Sequence, residues 1–246
     1  MIALCTDFGP GGPYMGQVKA VLARMAPQVP VVDLFADLPA FSPNLAAYLL
    51  AAYALRFERG DVIVAVVDPG VGGARRALIV EAGCWLTGPD NGLFELVLRR
   101  ARTWRAWAIE VPAQGIAPTF HGRDVFAPAA ARLALGQEPR GSQVEPTRLP
   151  DWPDDLSAIV YVDHYGNAMT GLRAASLAAD TVLEVAGRRM ARRRIFADVR
   201  PGEPLWYENA NGLAEIAVNG GSAAAAFGLT PGSPVVVHSG RAEKAL

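Results

Sequence analysis

Apolar runs of strand length alternate with segments of helical periodicity through the first half of this 246-residue chain. A polar stretch rich in proline and without periodicity follows between Gly136 and Asp155, and beyond it short β-like runs are separated by Gly and Asn turns. The first pattern predicts a sheet covered by helices on both faces, an α/β domain of Rossmann-like type. The last predicts a small β-barrel or sandwich. The expected division is residues 1–150 for the α/β domain and 151–246 for the β-rich one.

Each element has its own reason. Ile2 to Thr6 is a short apolar run closed by Asp7, the pattern of a buried strand. Tyr14 to Ala26 places Val18, Val21, Leu22 and Met25 on one helical side, and Val31 to Phe35 is again strand-like. Pro43 to Phe57 reads as a mostly apolar helix with Ser42 placed as its N-cap. Asp61 to Val67 is the clearest strand, because its unbroken, β-branched apolarity suits the middle of a parallel sheet. Leu78 to Glu81 and Ala106 to Val111 are expected strands, with a helix from about Gly92 to Arg102 between them. The stretch from Gly136 to Asp155 reads as an interdomain linker. After it, Ala158 to Asp163, Val182 to Ala186, Leu213 to Val218 and Pro234 to His238 read as strands, and Ser222 to Phe227 as one short helix.

Bulk properties exclude several functions. A chain of this length buries roughly 70–75% of its unfolded surface and needs no disulfide or metal staple. The net charge is −1, from 23 basic and 24 acidic residues, so no global field favours nucleic acid or an anionic membrane. The arginine run at 188, 189 and 192–194 reads as a solvated hairpin edge. Cys5 and Cys84 sit in apolar runs without C-x-x-C spacing, as buried free thiols do. No apolar stretch reaches the roughly 18–20 residues of a membrane span. The amino terminus has neither a basic nor a long apolar leader segment, so a cytoplasmic location is expected.

The polar residues of interest lie at strand ends. Asp7 stands in Thr6-Asp7-Phe8-Gly9, and Asp68 opens Asp68-Pro69-Gly70-Val71-Gly72-Gly73-Ala74-Arg75. Ligands of open parallel sheets bind outside the carboxyl ends of the strands. A carboxylate there is costly unless paired or used. Asp68 and Arg75 therefore make either a structural turn with a salt bridge or part of a site. His121, in Thr119-Phe120-His121-Gly122-Arg123-Asp124, is either a helix-capping or core residue or a proton-handling group near neutral pH. His164 and His238 are read as structural. In the second half, Asp163-His164-Tyr165-Gly166-Asn167 is either a β-turn or an aromatic and an amide set to hold a flat heterocycle. The glycines at 9, 11, 12 and 16 miss the dinucleotide-binding spacing, no phosphate-binding loop follows, and no G-x-S-x-G or zinc-protease spacing occurs.

Taken together, the segments TDFG with PYMGQVKA, DPGVGGAR, GPDNG, TFHGRDVFAP, DHYGN and NGLAEIAVN resemble, in order and over nearly the whole chain, the S-adenosylmethionine (SAM) hydrolases, also called SAM hydroxide adenosyltransferases, relatives of fluorinase and chlorinase. The resemblance implies an α/β domain followed by a β-barrel, homotrimers with each site between neighbouring subunits, and no metal or organic cofactor. It makes Asp68, Arg75 and His121 the catalytic triad, with Asp68 and His121 accepting hydrogen bonds from water. Asp7 becomes the ribose ligand, and Phe41 an aromatic near the sugar. Tyr165 becomes the ring stacked on adenine, Asn167 the group bonding its edge, and Asp163 the partner of the methionine amine. Glu215 and Val218 match a nucleoside-contacting strand. Gly12 stands where many relatives carry Asp, and Ala210 where Ser is common. Gly122 and Asp68 stand where halide-using relatives carry Ser and Tyr, which favours water as nucleophile. The implied reaction is SAM to adenosine and L-methionine. Another nucleoside-cleaving enzyme and a non-catalytic adenosine or SAM sensor are the competing readings, separated by product identity and by turnover.

Overall fold

The computed structural model describes residues 1–112 and 114–239. The protein divides into two compact units, Met1–Trp152 and a second beginning at Pro153.

The first unit is built on a seven-stranded mixed sheet. Its elements run β1 (Ile2–Thr6), α1 (Pro13–Met25), β2 (Val31–Phe35), α2 (Pro43–Tyr53), β3 (Val62–Val66), β4 (Ala77–Ala82), β5 (Cys84–Pro89), α3 (Glu95–Arg100), β6 (Arg105–Ala108), a π-helical turn (Gly122–Phe126), α4 (Ala127–Ala134) and β7 (Ser142–Gln143). The spatial order is β2-β1-β3-β5-β4-β6-β7. Strands β2, β1, β3 and β5 are parallel, and β4, β6 and β7 join antiparallel. The parallel half carries the apolarity. All five residues of β1 and all five of β3 are buried. One alternating set, Ile2, Leu4, Val62, Val64 and Ile79, packs with Met15, Val18 and Leu22 of α1 and with the alanines of α4. The opposite set, Ala3, Cys5, Ile63, Ala65 and Leu78, is buried as well, as the period of two requires when both faces are covered. Each such large apolar side chain contributes roughly 1.5–3 kcal/mol on burial.

This topology positions the site. The chain leaves β1 for β2 on one side and reaches β3 on the other, so β1 and β3 flank a point where the winding reverses. They run in register from Ile2 opposite Val62 to Thr6 opposite Val66. Asp7 and Asp68 therefore emerge side by side from the same end of the sheet.

Several local expectations are corrected. Ser42 does not cap α2 with its side chain; its hydroxyl donates to the Ala40 carbonyl at 3.1 Å. α2 ends at Tyr53 and gives way to a 3₁₀ turn, Ala54–Arg56. The stretch read as a linker is pinned to the first unit as far as Trp152. Thr147 N donates to Asp90, Arg148 pairs with the buried Glu95, and Arg99 donates to the carbonyls of Leu149 and Trp152. Strand β5 went unread because Gly88 and Pro89 mimic a turn. Gly88 is needed there, since a Cβ would lie 2.2 Å from the Ala65 carbonyl oxygen of the neighbouring strand.

The second unit is antiparallel. It contains β8 (Leu156–Val162), β9 (Ala168–Arg173), β10 (Val182–Val185), β11 (Arg188–Ala191), β12 (Pro204–Glu208), β13 (Leu213–Val218), α5 (Ala223–Phe227) and β14 (Val236–His238). One sheet is ordered β12-β13-β9-β8 and the other β11-β10-β14. Isolated bridges pair Ala158 with Pro234 and Arg192 with Trp206. The core centres on Trp206, fully buried with its indole N–H on the Thr181 carbonyl at 3.0 Å. Ser222 caps α5, accepting from Ala225 N at 3.0 Å. The arginine run lies on and just after the β10–β11 hairpin, with Arg189 paired to Glu184 and Arg192 to Glu208. Residues 240–246 of the expected second domain lie outside the described residues.

Candidate functional site

A cavity of about 620 Å³ opens beside the ends of β1 and β3, and Asp7, Phe41, Asp68 and His121 all line it. Arg75 stands behind them. The loop from Asp68 to Arg75 folds back on itself, with Gly73 N donating to the Gly70 carbonyl. Gly72 takes a left-handed φ of 76°, and a Cβ there would meet the Pro118 carbonyl oxygen at 2.6 Å, so only glycine fits. This return brings the guanidinium onto Asp68: Nε donates to Oδ1 at 3.0 Å, and Nη2 donates to Oδ2. Nη2 also lies 3.0 Å from His121 Nδ1. Arg75 thus joins Asp68 to His121, over the ring of Phe126.

The contact fixes the histidine's chemistry. Arginine has only donors, so Nδ1 is an acceptor and the proton of the neutral ring sits on Nε2. His121 is buried, and that burial, with the Arg75 charge next, holds its pKa below the ordinary 6.5. A neutral ring protonated in this way offers a donor at Nε2. Each Asp68 carboxylate oxygen keeps acceptor capacity beyond its bond to Arg75. The π-helical turn following His121 is held by Asp124, which chelates Arg123 and accepts Ala117 N at 2.8 Å. That bond ties the loop carrying Thr119 to the start of the helix.

Asp7 faces the same cavity. Burial raises its carboxyl above the usual range, and the nearby charge of Asp68 adds to this. Its Oδ2 accepts Phe41 N at 3.1 Å, which anchors Phe41 in a left-handed conformation (φ 58°) that β-carbon residues seldom adopt. The Phe41 side chain is held out, 78% exposed. Such strain is maintained only where surrounding bonds enforce it, here by the Asp7 carboxylate.

The remaining sequence-predicted residues gather in the second unit. Asp163, Tyr165, Asn167, Glu215 and Val218 line one cavity of about 580 Å³. Asp163 shapes it: Oδ1 accepts the backbone N–H of Tyr165 and of Asn167, and Oδ2 accepts Asn167 Nδ2 at 3.1 Å. Gly166 carries φ 83° in the same turn, where a Cβ would strike the Ser222 hydroxyl at 2.0 Å. Tyr165 projects outward, 75% exposed, while Asn167 is buried. Glu215 is buried, and its carboxyl is raised by that burial although Tyr207 and Asn209 both donate to it.

Sequence reading missed two groups. Phe8, Tyr14 and Phe120 form an aromatic wall of the first cavity, with ring centroids 5.3–6.1 Å apart. In the second cavity Phe196 and Tyr207 pack together at 5.1 Å. Their signal lay in the flanks of recognised motifs, Phe8 next to Asp7 and Phe120 next to His121. Among the described residues, no group of three or more His, Cys, Asp or Glu is arranged to hold a metal ion.

With this geometry in place, comparison with known proteins is decisive. Residues 2–143 match the model of the SAM hydroxide adenosyltransferase N-terminal domain, and residues 157–236 that of the C-terminal domain. This chain belongs to the SAM hydroxide adenosyltransferase family. A relative from Thermus thermophilus, named (R)-S-adenosyl-L-methionine hydrolase, is 44% identical over 94% of this chain and 96% of its own length. A relative of the same name from Salinispora tropica is 37% identical over 97% and 98%. Among solved structures, an uncharacterized conserved protein from Thermotoga maritima superposes with a TM-score of 0.86 at 28% identity, covering 97% of this chain and all of that one. A conserved hypothetical protein from Thermus thermophilus gives 0.74 at 41% identity, covering 96% and 99%. The Gly12 position of this family member is sterically open, since a Cβ would make only ordinary contacts at 3.6 Å.

Proposed function

We propose that this protein hydrolyses S-adenosyl-L-methionine to adenosine and L-methionine, by in-line attack of water on the ribose C5′. The observation that carries the reading is the Asp68–Arg75–His121 group, joined by one guanidinium beside Asp7 at the reversal point of the sheet. Membership of the family, with relatives named for this hydrolysis, supports it. The sulfonium makes methionine a ready leaving group, so the protein's task is to hold and activate water. The water oxygen bonds to C5′ as the C5′–sulfur bond breaks, its electron pair leaving with sulfur. Asp68 accepts the water's hydrogen bond and is the acceptor of its proton. His121 positions the water through Nε2–H, and Arg75 locks both. Alignment can supply up to roughly 7–11 kcal/mol of the barrier, and a general base roughly 10²–10⁴-fold in rate.

Asp7 is assigned to the ribose hydroxyls and Phe41 to the sugar face. Tyr165 and Asn167 are assigned to adenine, Glu215 and Val218 to the nucleoside, and Asp163 to the methionine amine. The enzyme is read as a Rossmann-like domain with a barrel. The two isolated bridges support closure, because they link the outer strands of the two antiparallel sheets. Cys5 and Cys84, buried free thiols each with a pKa pushed up to about 12 by burial, are inert and suit a reducing cytoplasm.

The test is incubation of purified protein with SAM in excess chloride or fluoride, followed by chromatography. Adenosine and methionine are expected in every case, since Gly122 supplies no hydroxyl for a halide. Mainly 5′-halo-adenosine would contradict water as nucleophile, and free adenine would point to glycosidic cleavage.

We further propose a homotrimer in which neighbouring copies complete the substrate site. The exposure of Phe41 and Tyr165, each more than 70% open on a cavity wall, supports a partner surface. Light scattering should give three chains or a multiple of three. A catalytically competent monomer would refute this assembly.

A further inference from the structure

Phe8 has no part in the roles assigned above, yet it belongs to the wall of the first cavity. Its ring lines that cavity with Asp68 and His121. A Cβ placed on Gly122 would lie 2.8 Å from the tip of the Phe8 ring and 3.2 Å from the next ring atom. The ring thus occupies the space directly beside the residue that follows His121. It is fixed there by an edge-on contact with Phe120, at 5.7 Å and 76°, and by a tilted one with Tyr14 at 6.1 Å. The Phe8 backbone N–H is held on the Thr6 hydroxyl at 3.4 Å. An aromatic wall thus stands beside Gly122, the residue that follows His121, in the cavity that Asp68 and His121 also line.

We propose that Phe8 is the specificity-determining residue for the nucleophile, restricting attack on C5′ to a molecule the size of water. This rests on the hydrolytic reading above. The selection is steric, as packed interiors resist added volume: a single extra methyl group in a closed pocket is discriminated by roughly 10–200-fold. Methanol is water with one methyl added, and it reacts with the same balance. Its oxygen bonds to C5′, the C5′–sulfur bond breaks with its pair on sulfur, and the hydroxyl proton passes to Asp68, giving 5′-O-methyladenosine and methionine. Azide tests the same space as an anion. Its terminal nitrogen bonds to C5′, methionine leaves, and no proton moves.

The experiment incubates the full-length protein and its Phe8→Ala and Phe8→Leu variants with SAM in buffer containing methanol or, separately, sodium azide. The ratio of captured product to adenosine is read by chromatography. Both products form in one sample, so the ratio does not depend on how much protein is folded, and Phe8→Leu keeps an apolar side chain should Phe8→Ala fold poorly. Wild type should give adenosine almost alone. The ratio should rise by at least about 10-fold in Phe8→Ala, with Phe8→Leu between. Adenosine formation with the same ratio in wild type and both variants would overturn the gate and leave hydrolysis standing. No adenosine from wild type would overturn hydrolysis, and the gate with it.

Discussion

Replacing Asp68 with Asn is expected to lower turnover by at least about 10²-fold, the usual consequence of losing a general base. The amide keeps the shape of the carboxylate and one acceptor for Arg75, but it leaves the buried guanidinium without its anion, so the melting temperature should fall and turnover is compared on folded protein. What disappears is the charge that takes the water's proton. Water is aligned fully only as the C5′–sulfur bond breaks, so the loss falls on the transition state, and kcat should drop far more than adenosine affinity. His121→Ala should also reduce kcat more than affinity, through loss of the Nε2–H donor. Turnover, adenosine affinity and melting temperature of both variants provide the check. Near-normal turnover in folded variants would leave the three residues as a structural knot only.

The same histidine sets a pH dependence. Its folded-state pKa is held below 6.5, first by burial and then by Arg75. Below pH 6.5 the unfolded chain therefore takes up a proton that the native chain resists. Stability from this group is complete above that pH and declines as pH falls through the window beneath it. The kcat profile should stay level through neutrality and fall only on the acid side, when a protonated ring would face the Arg75 guanidinium.

Arg75→Met carries the second large effect. The side chains of Arg75 and Asp68 are only 10% and 4% exposed, so the substitution leaves a carboxylate buried without its cation. Removing one partner of such a pair typically costs about 3–5 kcal/mol. Denaturant unfolding should show a loss of that order. Adding Asp68→Asn to Arg75→Met should recover part of it, because the unpaired charge is then gone. An Arg75→Met protein as stable as wild type would mean that the ion pair does not organise the loop.

Much of this architecture was legible because local chemistry and fold agreed. The β-branched run of β3 announced a central strand, and Asp7 and Asp68 advertised themselves as carboxylates closing apolar runs. The grouping of Asp7, Asp68 and His121 could not be read from spacing, since it depends on the register of β1 with β3 and on the return of the loop to Arg75. Strand β5 was hidden because its Gly88 serves a close approach between strands rather than a turn. The segment before Trp152 looked like a linker because its order comes from a backbone hydrogen bond to Asp90 and an ion pair to Glu95, which leave no periodicity. Phe8 stood beside Asp7 but, like Tyr14, could not be assigned, because an aromatic in sequence carries no sign of whether it fills a core or walls a cavity.

The central claim, attack of water on C5′, is tested most directly by turnover of SAM in water enriched in oxygen-18, with mass analysis of both products. The account predicts adenosine carrying one heavy oxygen at its 5′-hydroxyl, and methionine carrying none. Unlabelled adenosine, free adenine or intact SAM would contradict it.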